Sequence, residues 1–215
     1  MFKPDKVKVI VWDVDGTWYR NSVGLVDEEI KQRCLLIADL LKVSFEEAVE
    51  LEEKTVKDIK SHTKTVSKLT GLSIIDVLNR VSAKIDRSKF LMRDEKLIKM
   101  FEGLKGYRQV VLSNMRRESL LRTMEILGLD KSIFDFLVLP DETGVTKPDL
   151  RAFKMVLEKT GLKPSEHLFV GDREEVDIVP AKRFGMQTCF VWGKSKEADI
   201  SIGSVYGLSD VLCYR

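Results

Sequence analysis

Residues 7–12 read Val-Lys-Val-Ile-Val-Trp, an almost unbroken run of β-branched and apolar side chains. A short run with no polar face predicts a strand buried on both sides in a parallel sheet. It stops abruptly at Asp13. From Asp27 to about Arg87 the apolar positions recur with a helical period, and no strand-like run interrupts them. Ser44-Phe45-Glu46-Glu47 has the capping-box spacing, a Ser at the cap and a Glu three residues on. Gly71-Leu72-Ser73 reads as a helix stop followed at once by a new N-cap, opening an amphipathic stretch over Ile74 to Ile85.

Beyond that insert the pattern alternates. Leu97 to Leu104 predicts a helix, Gln109 to Leu112 a strand, and Glu118 to Leu127 a helix ended by Gly128. Phe136 to Leu139 predicts a short strand and Asp149 to Lys159 a helix closed by Gly161. Leu168 to Val170, Ile178 to Phe184 and Thr188 to Val191 follow as strand, helix and last strand. Such alternation implies right-handed βαβ units and a parallel sheet. The expected fold is therefore α/β, an open Rossmann-like parallel sheet built from residues 1–17 and 92–215. Residues 18–91 interrupt it as a helical cap domain.

Composition narrows the functional classes. Of 215 residues, 44% are hydrophobic and 33% charged, which suits a soluble globular chain rather than a disordered one. A net charge of +2 gives no electrostatic reason to expect nucleic acid or a membrane surface. No run approaches the roughly 20 apolar residues that span a bilayer. The apolar start leads into two Asp with no small-residue cleavage site, so the expected location is cytoplasmic. Cys34, Cys189 and Cys213 show no CxxC spacing and read as ordinary buried thiols. A nucleophilic Cys would need His62 or His167, the two histidines present, brought close by the fold.

The candidate chemistry lies at strand ends. The first strand ends in Asp13 with Asp15 two residues on, the second in Ser113-Asn114, and the fourth in Gly171-Asp172 with Asp177 following. In open α/β sheets ligands bind outside the carboxyl ends of the strands, so Asp13, Asp15, Ser113 and Asp172 are expected around one crevice. Two carboxylates as close as Asp13 and Asp15 repel unless a cation or a shared proton compensates them. Magnesium, which prefers hard oxygen ligands and keeps several waters, suits such a set. Gly16 permits a sharp departure of the chain. For this pentapeptide alone, a solvated strand-end turn is the competing reading.

Four segments together resemble the haloacid dehalogenase-like superfamily of phosphatases. They are Asp13-Val14-Asp15-Gly16-Thr17, Leu112-Ser113-Asn114, Thr146-Lys147-Pro148-Asp149 and Gly171-Asp172 through Asp177, in the order and element context of that family. The helical insert resembles the family's cap in position and character. The resemblance implies that Asp13 attacks phosphorus as a covalent nucleophile, with Asp15 as general acid and then base. It implies that Mg²⁺ is held by Asp13, the main-chain carbonyl of Asp15 and Asp172, while Ser113 and Lys147 bind the phosphoryl oxygens. Asp177 then supports the metal or Lys147; the alternatives are an N-cap for the next helix, or Glu174 or Glu175 in its place. Gly16, Thr17 and Asn114 are expected beside the substrate.

The expected substrate is a small phosphorylated metabolite, with no nucleic acid or membrane partner and a monomeric or homodimeric chain. The relatives commonly carry Leu where Trp18 stands, followed here by Tyr19, and these two either line the entrance or pack under the cap. Asp15 argues against dehalogenation, which needs no proton donor. A phosphomutase, a receiver-like signalling domain and a catalytically silent phosphate-binding protein are the rival readings.

Overall fold

The computed structural model describes residues 2–213. Its centre is strand β1 (Val9–Trp12), whose four residues are all buried, as the unbroken apolar run predicts. With β2 (Arg108–Leu112), β3 (Phe136–Val138), β4 (His167–Gly171), β5 (Gln187–Val191) and β6 (Ile200–Ile202) it forms a six-stranded sheet in the order β3-β2-β1-β4-β5-β6. Every pairing is parallel. Val9 is level with Arg108 on one side and His167 on the other, and Trp12 with Val111 and Val170.

Because side chains alternate across a strand, β1 feeds two cores. Ile10 and Trp12 join the core made with helices α5 (Glu95–Gly103), α6 (Arg117–Leu127) and α10 (Leu208–Cys213). Val9 and Val11 join the core made with α8 (Leu150–Thr160) and α9 (Val179–Arg183). A short helix, α7 (Pro140–Thr143), follows β3. Trp18 is fully buried, stacked on Phe134 with centroids 5.4 Å apart and edge-on to Phe101 at 5.7 Å, so it packs rather than lines an entrance.

Between β1 and β2 the chain makes α1 (Leu25–Leu41), α2 (Phe45–Ile59), α3 (His62–Thr70) and α4 (Ile74–Ser82). These four close over their own small core of Cys34, Ile37, Ala48, Val66, Val77 and Val81. Ser44 and Glu47 form the capping box, Gly71 ends α3 in the left-handed region, and the Ser73 side chain caps α4. Cys34 and Cys189 are buried free thiols, and burial pushes the Cys189 thiol far up. The Cys213 side chain lies outside the described residues.

The structure differs from the sequence pattern in two places that matter. β6 is a further parallel strand, short and only half-buried, that the apolar pattern does not signal. Residues Glu174–Ile178 form a π-helical turn before α9, where the pattern predicts an α-helix from Ile178. Asp177 consequently does not cap α9; the residue preceding that helix is Ile178, with no side-chain cap.

Candidate active site

The sheet order determines which polar residues meet. β2, β1 and β4 are neighbours, and each delivers its next residue to the same edge. The Asp13 amide donates to the Val170 carbonyl at 3.0 Å, which carries the pairing one residue past β1. The Ser113 amide donates to the Val138 carbonyl at 3.2 Å and anchors the end of β2 in the same way. Asp172 directly follows β4. The Ser113 hydroxyl accepts from the Met115 amide at 3.3 Å, a turn contact at the approach to α6.

Lys147 reaches this edge from the loop before α8. Its Nζ lies 2.7 Å from Asp13 Oδ1 and 2.7 Å from Asp177 Oδ1, with its side chain wholly buried. Asn114 holds the Lys147 backbone from both sides: its Oδ1 accepts from the Lys147 amide at 2.6 Å, and its Nδ2 donates to the Lys147 carbonyl at 3.1 Å. Asp177 Oδ2 accepts from the Arg173 amide at 3.2 Å, a bond the π turn makes possible. Of the three roles open for Asp177 in the sequence, the N-cap is not taken, and the contact observed is with Lys147.

Asp13, Asp172 and Asp177 each offer a carboxylate oxygen within 4.8 Å of the others. Burial first, then the charges of Asp13 and Asp177, push the Asp172 carboxyl up to about 7. Burial and Asp13 likewise raise Asp177, against the pull of Lys147. The Arg173 guanidinium stands 3.8 Å from each of the three carboxylates and offsets part of this charge. Burial lowers the Arg173 pKa, but the summed attraction of Asp177, Asp13 and Asp172 lifts it above its ordinary value.

Two observations fit this cluster to a hard divalent cation. Asp172 Oδ1 is buried with no hydrogen-bond partner among the described residues. Gly16, with φ +81°, lets the loop that follows Asp15 pass hard against the same carboxylate: a Cβ there would stand 2.2 Å from Asp172 Oδ2. Asn21 Nδ2 donates to that oxygen at 3.0 Å.

A pH dependence follows for the metal-free protein. The folded-state pKa of Asp172 is raised above its unfolded value near about 3.9. Its contribution to stability is therefore present in full below that unfolded value and is lost as pH rises through about 7. Thermal unfolding in EDTA should show Tm falling across this window. Added Mg²⁺ should raise Tm more at pH 8 than at pH 6, because protons compete for the same oxygens.

Asp15 takes a different direction. The Arg87 guanidinium pairs with Asp15 Oδ1, the Tyr19 hydroxyl donates to the same oxygen, and Arg87 donates to the Tyr19 hydroxyl at 2.7 Å. Arg87 also binds Glu29 Oε1 at 3.2 Å, whose second oxygen is 3.4 Å from Arg33. Burial raises Tyr19 most, with Asp15 adding to it, and burial also raises Glu29. Sequence reasoning missed Glu29 as a site residue; it named Tyr19 as an entrance candidate and Arg87 among the insert cations, but assigned neither to Asp15. Arg87 is buried, as Arg33 of the insert also is, and is set apart by its pairing with Asp15, which the sequence does not signal.

A cavity of about 180 Å³ lies between the strand ends and the helical insert. Asp13, Asp15, Ser113, Asn114 and Asp172 line it from the sheet side, and Arg87 and His62 from the insert. Lys147 and Thr17 sit behind this surface, wholly buried; the Thr17 hydroxyl points at Asp13 Oδ2 at 3.4 Å. Gly16 borders a second, more open cavity with Arg20 and Trp192.

A parallel α/β sheet with a carboxylate cluster, a buried lysine and a helical insert at its carboxyl edge defines a hydrolase class. The model of that class, the haloacid dehalogenase-like hydrolases, matches residues 7–185, and the chain belongs to this family. Among curated proteins it is 30% identical to a glyceraldehyde 3-phosphate phosphatase of Methanocaldococcus jannaschii, covering 96% of this chain and 97% of that one. It is also 30% identical to the protein of that name from Methanothermobacter thermautotrophicus, over 90% and 89% of the two chains. Among solved structures, a haloacid dehalogenase-like phosphatase of Thermococcus onnurineus shares the fold, with a TM-score of 0.68 at 23% identity over 96% of this chain and 98% of that one. No helix among the described residues is long and apolar enough to cross a membrane.

Proposed function

We propose that the protein is a magnesium-dependent phosphomonoesterase that works through an aspartyl-phosphate on Asp13. The observation that carries this reading is the buried Lys147 ammonium, 2.7 Å from both Asp13 and Asp177. A carboxylate is a weak nucleophile, and an adjacent fixed cation lets it meet an anionic phosphoryl group. Asp13, Asp172 and the main-chain carbonyl of Asp15 would hold Mg²⁺. The ion supplies charge neutralisation between nucleophile and phosphate.

An oxygen of Asp13 attacks phosphorus as the ester P–O bond breaks, and the departing alkoxide takes its proton from Asp15. Asp15 then removes a proton from water, whose oxygen attacks the phosphorus of the aspartyl-phosphate and releases phosphate with Asp13 restored. Ser113, Lys147 and Arg173 supply the donors for the phosphoryl oxygens. Arg87 and Tyr19 fix the place of the Asp15 carboxyl at the boundary with the insert. Helices α1 to α4, spanning residues 18–91 with their flanks, serve as the cap over the reacting centre and exclude water from it.

The substrate is a small phosphorylated metabolite. Two relatives that match nearly the whole chain carry the name glyceraldehyde 3-phosphate phosphatase, which makes glyceraldehyde 3-phosphate the first compound to test. Phosphate release from it by purified protein is expected with Mg²⁺ and not with EDTA. No release from this ester or from a panel of natural phosphomonoesters would refute the reading.

A further inference from the structure

In the helical insert, at the cavity that Asp13 also lines, a buried carboxylate is paired with a partly exposed histidine. Glu52 of α2 is 2% exposed. A carboxylate so placed costs free energy unless it is paired and hydrogen-bonded. Its partner is His62, the first residue of α3, with Nδ1 2.5 Å from Glu52 Oε1. A carboxylate only accepts, so the ring hydrogen resides on Nδ1 and Nε2 becomes the ring's free nitrogen. Nε2 has no hydrogen-bond partner among the described residues. The ring is about one-third exposed, with 38% of its side chain accessible, and it lines the cavity.

The segment carrying His62 is tethered to the sheet domain on both sides. Ser61 Oγ lies 3.3 Å from the hydroxyl of Thr146, the residue before Lys147. Lys60 pairs with Glu175 at 3.2 Å and Lys64 with Asp149 at 3.8 Å. His62 is thereby fixed relative to the reacting centre, which a freely solvated histidine is not. The other cations of the insert at this cavity are paired elsewhere, Lys60 with Glu175, Arg87 with Asp15 and Glu29, and Arg33 with Glu29.

We propose that His62, oriented by Glu52, recognises the leaving group of the substrate by binding one of its oxygen substituents through Nε2. The inference rests on the phosphomonoesterase reading above. A substrate hydroxyl can donate to the neutral ring, and the imidazolium can donate to a hydroxyl or a carbonyl oxygen. The favoured substrates are therefore phosphate esters of oxygenated short-chain alcohols rather than of plain alkyl chains. Glu52 touches no substrate; it is a positioning residue that sets the tautomer and the ring plane.

The test compares kcat/KM for glyceraldehyde 3-phosphate with that for n-propyl phosphate, which has the same three-carbon length without the oxygens. Wild type should prefer the first. His62→Ala should shrink that preference about tenfold, the worth of one hydrogen bond, mostly through KM. Glu52→Ala should shrink it likewise, and Glu52→Gln, which still accepts from Nδ1, should largely preserve it. A merely structural role would lower both esters in proportion and leave the ratio unchanged. His62 is partly exposed, so its variant tests the point even if Glu52→Ala fails to fold. A wild type without the preference, or an unchanged ratio in His62→Ala, overturns this inference alone. Turnover of other phosphomonoesters but of neither of these two overturns this inference alone, and no turnover of any of them overturns the phosphomonoesterase reading and this inference with it.

Discussion

Asp13→Asn is expected to lose turnover by on the order of 10⁴-fold or more while keeping the fold. The amide is nearly the same size as the carboxylate, and the main-chain bond from residue 13 to Val170 does not involve the side chain. Lys147 retains Asp177 at 2.7 Å, and an amide oxygen can still accept from its ammonium. What is removed is the nucleophile. The substitution also removes the charge that helps raise both Asp172 and Asp177, so the metal-free variant should be at least as stable as wild type near pH 8. Loss of activity together with loss of fold would point to a structural role for Asp13. Steady-state rates and thermal unfolding on one preparation separate the two.

Lys147→Met is expected to harm stability as well as rate. The ammonium is the closest cation to two carboxylates that are themselves almost wholly buried, and the nearest substitute, Arg173, stands 3.8 Å away. Removing one partner of a buried ion pair typically costs about 3–5 kcal/mol, because the charge left behind is neither solvated nor compensated. Asp177 is already raised, and without Lys147 its folded-state pKa rises further. The penalty is then absent below the unfolded value near about 3.9 and grows as pH climbs towards the new folded value. Urea unfolding should therefore show a larger deficit at pH 8 than at pH 5. A deficit that is the same at both would mean that packing, not charge, is the main role of Lys147. Turnover should fall by about 10²–10³-fold, the usual loss for one fixed electrostatic contact to a reacting oxyanion.

Much of this architecture was written in short stretches of sequence. Val7 to Trp12 could be read as a doubly buried strand because a strand inside a parallel sheet has no polar face to show. Asp13, Ser113 and Asp172 could be placed together because each is the residue after an apolar run, and the carboxyl edge of the sheet is where such residues collect. The helix boundaries at Ser44, Gly71, Ser73, Gly128 and Gly161 came from capping chemistry, which acts over three or four residues.

What was not legible depends on contacts between segments. Asp177 could not be assigned because the choice between capping α9 and binding Lys147 turns on one hydrogen bond. The Ile178 amide reaches back to the Arg173 carbonyl at 3.3 Å, a π-type shift that leaves no trace in composition. Arg87 looked like any insert cation until the fold brought it to Asp15, 72 positions earlier in the chain. The Glu52–His62 pair bridges the break between α2 and α3, where Lys60 takes a left-handed conformation with φ +57°. β6 is three residues long and half-exposed, too short for its period to stand out.

The most direct test of the account is to trap the covalent intermediate. Enzyme turning over glyceraldehyde 3-phosphate with Mg²⁺ is quenched into borohydride, which reduces an acyl phosphate to the alcohol, and its peptides are mapped by mass. Homoserine is expected in place of aspartate at position 13, dependent on substrate and absent from the Asp13→Asn variant. Reduction at another residue, or undiminished turnover by Asp13→Asn, would contradict it.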